Sequence, residues 1–397
     1  MTNKQIFVSL AFSLGLIFLP VRPAPAATLN ESITRMAESL SAYLQEKGQQ
    51  QIMLGNFDGP GTATAGRAIR NALKEELVKQ GVLIVPLGAN WTVRGNFSFE
   101  PTGSAAIVLV RAELFDSSGK EVSGFRQKVK VEEVSAIEDI SRLLGLTVDL
   151  DREQQAVAST QTQTGKRTNE FDKQFISSQA KVTNKLIQSV NKPTFAFRNE
   201  TKTQIAADDL SPFRVEVLVR TNTSEEMFPL EITSASGYPF APLKADDTYR
   251  IRIYNDSDHA VGVKISIDGI NTFVLSEEQA YRDMGVWLFA PKTAGTVSGW
   301  YVRPDLVKEF LVTAQGAALG LPDASDIGTM TIQFFHAWRD GEQPPAVEKL
   351  LASRGQLRTG VGRDISQVAG FQQSYFGKTL LTAISIRYSN PDDAILE

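Results

Sequence analysis

The sequence predicts an α+β protein: an amino-terminal α/β domain, a linker with one helix, and an antiparallel β-sandwich. Three observations predict it. Across residues 28–150, apolar side chains recur at helical spacing in stretches that alternate with short apolar runs. Residues 151–212 turn polar, and "REQQAVASTQTQTGKRTNE" shows no period. Across residues 213–395 the period falls to two, with turn-forming residues between the runs.

The chain opens on an export signal. Lys4 supplies the positive start, "IFVSLAFSLGLIFL" (residues 6–19) the apolar stretch, and "APA" (residues 24–26) the small-x-small pattern of a cleavage site. The stretch is short for a membrane span of roughly 20 residues. Pro20, Pro23 and Pro25 break a helix just ahead of the site. Residues 1–26 are read as a signal peptide cleaved after Ala26, with a retained anchor as the alternative.

Within residues 28–150, "ESITRMAESLSAYLQEKG" sets Ile33, Met36, Leu40, Tyr43 and Leu44 on one helical stripe, with Asn30 as N-cap and Gly48 as stop. "QQIMLGNF" reads as a strand. "GRAIRNALKEELVKQG" reads as a helix with Ile69, Ala72, Leu73 and Leu77 on its inner face, ended by Gly81. Strands follow at "VLIVPL", at "NWTVRGNFSFEP" and on both sides of "DSSGK" (residues 116–120), where a hairpin is expected. "SAIEDISRLLGL" closes the unit as a helix. The order is α-β-α-β-β-β-β-α.

In the linker, Phe171, Phe175, Val182, Leu186 and Val190 predict a helix over residues 169–190. In residues 213–395, "FRVEVLVR", "TYRIRIYND", "AVGVKISIDG", "GVWLFA", "TMTIQFFHAW" and "TLLTAISIRYS" read as strands. "NDSDH" (residues 255–259) reads as a hairpin turn, and Asp-Gly in "IDGINTF" (residues 267–273) as a second. Many strands with little helix between them give the sandwich.

Composition bounds the function. The chain of 397 residues has no cysteine, so it folds without disulfides and cannot carry a lipid on a cysteine at the cleavage site. Its formal charge is −4, and loss of Lys4 and Arg22 with the leader makes it −6. Such a chain lacks the general basic surface that binds nucleic acid or anionic lipid, leaving only a local basic patch for such partners. No second hydrophobic run reaches spanning length, so the cleaved chain is not expected to span a membrane.

"FDGPGTATAGRAIRNAL" (residues 57–73) raises a nucleotide site, because Gly61 and Gly66 have the spacing of a phosphate loop. Arg67 and Ala68 stand where the lysine and the metal-binding hydroxyl belong, and Thr64 stands where a dinucleotide fingerprint needs its third glycine. The stretch therefore reads as a connection whose Thr64 caps the next helix. A helix N-terminus there still offers weak anion binding. The only histidines are His259, in a turn, and His336, in an apolar strand. Far apart in sequence and without cysteine, they do not suit a zinc site. "SGW" (residues 298–300) lacks the elbow of a serine hydrolase. His336 is read as a strand residue with its hydrogen bond satisfied.

Asp246, Asp247, Asp256, Asp258 and Asp268 read as polar turn residues. "NDSDH" lacks the glycine and distal glutamate of a calcium loop. Trp287, Trp300, Tyr301 and Trp338 fall in or beside strands and read as packing residues. No residue is assigned a catalytic, cofactor-binding or metal-binding role, and no cofactor is expected.

The amino-terminal unit resembles the periplasm-facing domains of envelope accessory proteins: the curli-export lipoproteins, the penicillin-binding-protein activator lipoproteins and the FlgO-like flagellar outer-membrane family. The resemblance lies in the leading helix (residues 36–44), the strand ending in "GNF" (residues 55–57) and "GRAIRNALKEELVKQGVLIV" (residues 66–85). It continues in "WTVRGNFSF" (residues 91–99) and the hairpin "AELFDSSGKEVSG" (residues 112–124). It covers roughly a third of the chain and implies that the Gly-Arg opening of the second helix is a structural βαβ turn. The missing lipid-bearing cysteine sets the chain apart from those lipoproteins. "YNDSDHAVGVKISIDGIN" with downstream "SGWYV" is similar to an uncharacterised bacterial β-sandwich module.

These readings lead to an exported, non-enzymatic envelope accessory or scaffold protein, periplasmic or secreted, that binds an envelope protein or polymer and no nucleic acid. The alternative is a carbohydrate-binding or carbohydrate-processing sandwich. That needs Trp287, Trp300 or Trp338 exposed in a row, or two carboxylates across a cleft. Strand parity opposes it. Trp287 shares a face with Gly285 and Phe289, opposite Val286 and Leu288, so both faces should be covered. Met330, Ile332, Phe334, His336 and Trp338 share one face opposite Thr331, Gln333 and Phe335, which gives one buried face with Trp338 at its end. Trp287 and Trp338 are expected to be mostly buried.

Overall fold

The computed structural model describes residues 28–59, 65–102, 105–130, 134–155, 169–221, 226–235, 237–312, 328–339, 341–353 and 374–388. The leader, Thr64 and the polar stretch 156–168 lie outside them.

The amino-terminal unit runs α1 (Leu29–Glu46), β1 (Gln51–Asp58), α2 (Ala65–Lys79), β2 (Leu83–Ile84), β3 (Trp91–Thr102), β4 (Ala105–Asp116), β5 (Glu121–Lys130) and α3 (Val134–Leu143). That is the order read from the sequence. The strands form a mixed sheet, β2-β1-β3-β4-β5, with β1 parallel to both its neighbours and β3, β4 and β5 antiparallel. Ile33, Met36, Leu40 and Leu44 of α1 and Ile69, Leu73 and Leu77 of α2 are buried against Val93, Val110, Ala112 and Leu114. Each large side chain contributes roughly 1.5–3 kcal/mol by leaving water.

One helix start differs from expectation. Thr28, not Asn30, caps α1: its hydroxyl accepts from Glu31 N while the Glu31 carboxylate accepts from Thr28 N, a reciprocal capping box. Asn30 lies inside the first turn, and its side chain ties α1 to α3 by donating to Asp139 Oδ1 (3.0 Å) and accepting from Arg142 Nη2 (3.1 Å). Both helices end as read, with Gly48 and Gly81 at φ +66° and +81°.

Beyond α3 the chain enters the second unit at once. β6 (Val148–Asp149) pairs with the last strand, β21 (Ser374–Tyr388). α4 (Asn169–Asn191) returns to the first core through Val182, Leu186 and Val190. Two largely antiparallel sheets then face each other. One holds β7 (Ala196–Phe197), β8 (Gln204–Ala206), β9 (Phe213–Arg220), β10 (Phe228–Pro229), β13 (Thr248–Asn255), β17 (Thr293–Val297), β18 (Gly299–Arg303) and β19 (Leu306–Leu311). The other holds β11 (Thr233–Ala235), β12 (Tyr238–Ala241), β14 (Val261–Ile267), β15 (Ile270–Asn271), β16 (Trp287–Phe289), β20 (Gly328–Arg339) and β21, besides β6. α5 (Gln279–Met284) and α6 (Ala346–Ser353) lie between strands in the chain. Phe213 of the first sheet stacks on Phe334 of the second at 4.6 Å, in the middle of an aliphatic core.

Asp268 and Gly269 form the expected two-residue hairpin turn, both with positive φ (+51° and +82°). The reading of "NDSDH" as a hairpin turn is corrected. β13 before it and β14 after it belong to opposite sheets, so it is a crossover. Asn255 is wholly buried there, donating to the carbonyls of His259 and Ala290 (both 2.9 Å) and accepting from the Ser257 hydroxyl.

A second correction concerns β20, read as having one buried face. Both faces are buried, because α3 and the first core cover the outer one: Phe335, Leu380 and Ala383 belong to the amino-terminal core. Most polar residues of that face are paired. Gln333 Nε2 donates to Ser141 Oγ (2.7 Å) and Glu138 O (2.9 Å), and Ser385 N to Thr147 Oγ1 (3.0 Å). Lys264 pairs with Glu138, Arg142 donates to Gly269 O, and Arg387 to Gly145 O. Burial of so many polar groups is tolerable because most find a partner; Ser266 Oγ, Thr379 Oγ1 and Arg387 Nε are buried without one.

β21 accommodates this junction by bulging. Phe334 faces Thr382 and Phe335 faces Leu380, while Ala337 faces Phe376, so β21 carries the extra residues. The Glu348 carboxylate of α6 fills the gap, accepting from the amides of Thr379 (3.0 Å) and Lys378 (3.2 Å). Gly377 is needed beside it, since a Cβ there would sit 2.4 Å from Glu348 Oε1.

Candidate functional site

The loop that suggested a nucleotide is a packing device where it is described. A Cβ on Gly66 would fall 1.6 Å from the carbonyl oxygen of Phe57, one on Gly95 would meet the Phe57 ring, and one on Gly59 the Phe97 ring. The glycines let α2 and β3 close on two core aromatics. Arg70 Nη1 of α2 donates back to Asn56 Oδ1 of β1 (3.3 Å). Residues 60–64 lie outside the described residues.

The two histidines, distant in sequence, meet in space. Their ring centroids are 4.6 Å apart, beside Phe213 at one end of the sandwich core. β20 keeps its parity past Phe334, so His336 points inward and is only 6% exposed. The expectation of a satisfied His336 is corrected: its Nδ1 is buried without a hydrogen-bond partner, as is Nε2 of His259. Burial holds His336 down to about 3, with the second imidazole adding repulsion, and burial also lowers His259 against the opposing pull of Asp258. The pair is therefore neutral near pH 7. Among the described residues, no group of three or more histidine, cysteine or carboxylate side chains is placed to hold a metal.

The five aspartates fall in three connections, Asp246 with Asp247, Asp256 with Asp258, and Asp268 alone. Asp256 takes a two-pronged bond from Arg214, and Asp258 pairs with Lys292. Asp268 accepts from Thr329 N and the Tyr388 hydroxyl, Asp247 from Lys244 N, and Asp246 occupies a positive-φ turn position. The tryptophans are likewise dispersed and half-buried. Trp287 packs tilted against Phe273 and edge-on against Tyr301 and donates to Thr272 Oγ1 (3.0 Å). Trp300 packs on Phe310 and Trp338 on Tyr375. β16 is not covered on both sides as read, because Leu288 opens to solvent at the sheet margin. The Tyr301 hydroxyl is buried without a partner, and burial pushes it up to about 12.

The surface feature that sequence reading missed is the β2 edge. The amides of Leu83 and Val85 bond to β1, which turns the amide of Ile84 outward. Around this open margin stand Val78, Leu83 and Leu87, exposed by 53%, 57% and 83%. "VLIVPL" carries the apolar signal, but periodicity cannot say that the strand lies at an edge or that only two of its residues pair.

No family model matches the chain, and no curated protein matches it. Among solved structures, the LpoB C-terminal domain from Salmonella enterica aligns with 25% of this chain and 96% of its own length, at 12% identity and a TM-score of 0.20. Among the described residues, no helix is long and apolar enough to cross a membrane.

Proposed function

We propose that this is an exported, non-enzymatic envelope accessory protein that docks another macromolecule along the β2 edge of its amino-terminal sheet. The carrying observation is that edge: three large apolar side chains within ten residues, beside an outward-facing strand amide. Edge strands are ordinarily blunted by charge or covered, and an extended partner segment pairs with such an edge while filling neighbouring apolar contacts. The export signal and the resemblance to envelope accessory domains supply the compartment. The buried polar junction supplies a rigid platform, since the sandwich cannot swing away without exposing Gln333, Ser385 and Arg387.

The test is affinity purification from solubilised envelopes with the wild type and a Leu83→Glu/Leu87→Glu variant. Wild type should retain an envelope component that the variant loses at an unchanged thermal midpoint. Equal retention by both, or none by the wild type, overturns the reading.

A further inference from the structure

The face of the amino-terminal sheet turned away from its core is basic along one side. The register places Arg111 of β4 directly opposite Arg126 of β5, Leu109 opposite Lys128, and Ile107 opposite Lys130. Arg94 lies on the same face of β3, one residue pair along. Arg94, Arg126, Lys128 and Lys130 are exposed and Arg111 is half-buried. Among the described residues no carboxylate pairs with any of the five. Arg111 Nε is buried without a hydrogen-bond partner. The acids of this face lie outside the run Arg126–Lys128–Lys130: Asp58 toward β1, Glu100 on β3 in the row of Lys130, Glu113 directly opposite Arg94, and Glu121 toward the turn, beside Gly124.

Edge protection alone does not account for the pattern. Cations on an edge strand do discourage sheet-to-sheet pairing, but Arg111 lies on an interior strand. Two like charges directly opposite each other oppose strand pairing. A chain of net charge −4 has gathered Arg111, Arg126, Lys128 and Lys130, without carboxylate partners among the described residues, where they work against its own sheet.

We infer that this β4–β5 face is a docking surface for an anionic phospholipid bilayer. A pleated sheet presents its side chains as a planar lattice, about 4.8 Å apart between strands and about 6.7 Å apart along them. A bilayer is planar too, and its anionic lipids diffuse to gather under fixed cations, so no preformed acidic counterpart is needed. Lys130 stands beside half-buried Ile107, a pairing of apolar stem and charged head that suits the headgroup boundary, while Leu109 beside Lys128 is buried. This surface lies at the opposite margin of the sheet from β2, so one protein can hold a partner on one edge and lean on the membrane with the other. The inference rests on the envelope reading above for where a bilayer is met, but its test is separate.

The test is co-sedimentation of the purified full chain with vesicles of phosphatidylcholine alone or mixed equally with phosphatidylglycerol. A leader, where present, acts alike in every variant. Each cation near an anionic surface changes binding roughly fivefold. Arg126→Gln/Lys128→Gln/Lys130→Gln should therefore lose about 100-fold in partitioning onto the anionic vesicles. Wild-type binding should vanish at ~0.5 M salt, where charges are screened beyond a few ångströms. A circular-dichroism melt matching wild type shows that the triple variant is folded. Equal binding to both vesicle types, or a folded triple variant that binds as wild type does, overturns the inference. So does capture of an acidic protein on this face without any vesicle preference. Failure here leaves the β2-edge measurement untouched, and failure there leaves this one.

Discussion

Acidification from pH 7 to pH 5 should weaken the fold by about 2 kcal/mol through His336 alone. The group is 94% buried, with its Nδ1 facing no hydrogen-bond partner, and burial holds it down to about 3 against an ordinary value of 6.5. The sign follows from which state takes the proton. Below pH 6.5 the unfolded chain protonates this imidazole and the folded chain does not, so stability falls as pH falls and levels off only near pH 3. At pH 5 the unfolded state is favoured by a factor of about 30, which is about 2 kcal/mol. Asp139, Asp149 and Asp151 act in the opposite direction. Burial raises each, so the folded state holds their protons and acidification favours it. The assay must therefore subtract them. Urea unfolding, followed by tryptophan fluorescence at both pH values, is compared between wild type and His336→Phe, which keeps a ring in the stack but cannot protonate. The wild type should lose about 2 kcal/mol more than the variant between the two pH values. Equal losses would refute the argument.

Two further substitutions probe the packing. Gly66→Ala drives a methyl into the Phe57 carbonyl, a backbone clash that cannot be relieved by a rotamer change. It should cost about 3 kcal/mol or more, read as a lowered thermal midpoint, and a variant as stable as wild type would show that α2 does not close on β1 there. Glu348→Ala strands the amides of Lys378 and Thr379 inside the bulge of β21. About 2–4 kcal/mol should be lost, with Glu348→Gln losing less because it keeps one acceptor. Equal stability of Glu348→Ala and wild type in urea would remove the carboxylate from the account.

Much of this architecture was legible because its signals are local. The stripe Ile33, Met36, Leu40 and Leu44 needs only a 3.6-residue period, and Asp268–Gly269 needs only the tolerance of two residues for positive φ. The misreadings share a different cause, namely tertiary context. "NDSDH" has turn composition, but composition cannot say whether the strands it joins lie in one sheet or two. Thr331 and Gln333 look like a solvent face until α3 covers them. The histidine pair needed β20 in its register beside β14, which no spacing of 77 positions reveals. The basic face is the same kind of case. Arg111, Arg126, Lys128 and Lys130 are ordinary strand cations in sequence, and only the pairing of β4 with β5 gathers them.

On the proposed function, the β2 edge is where this protein meets its partner. The most direct measurement places a photo-crosslinking amino acid at Leu83, at Leu87 and, as a control, at Leu210, which is 71% exposed in the second unit. On irradiation of intact cells, positions 83 and 87 should give the same discrete adduct with an envelope component, and position 210 should not. Adducts of equal yield at all three positions, or none at 83 and 87, would contradict the account.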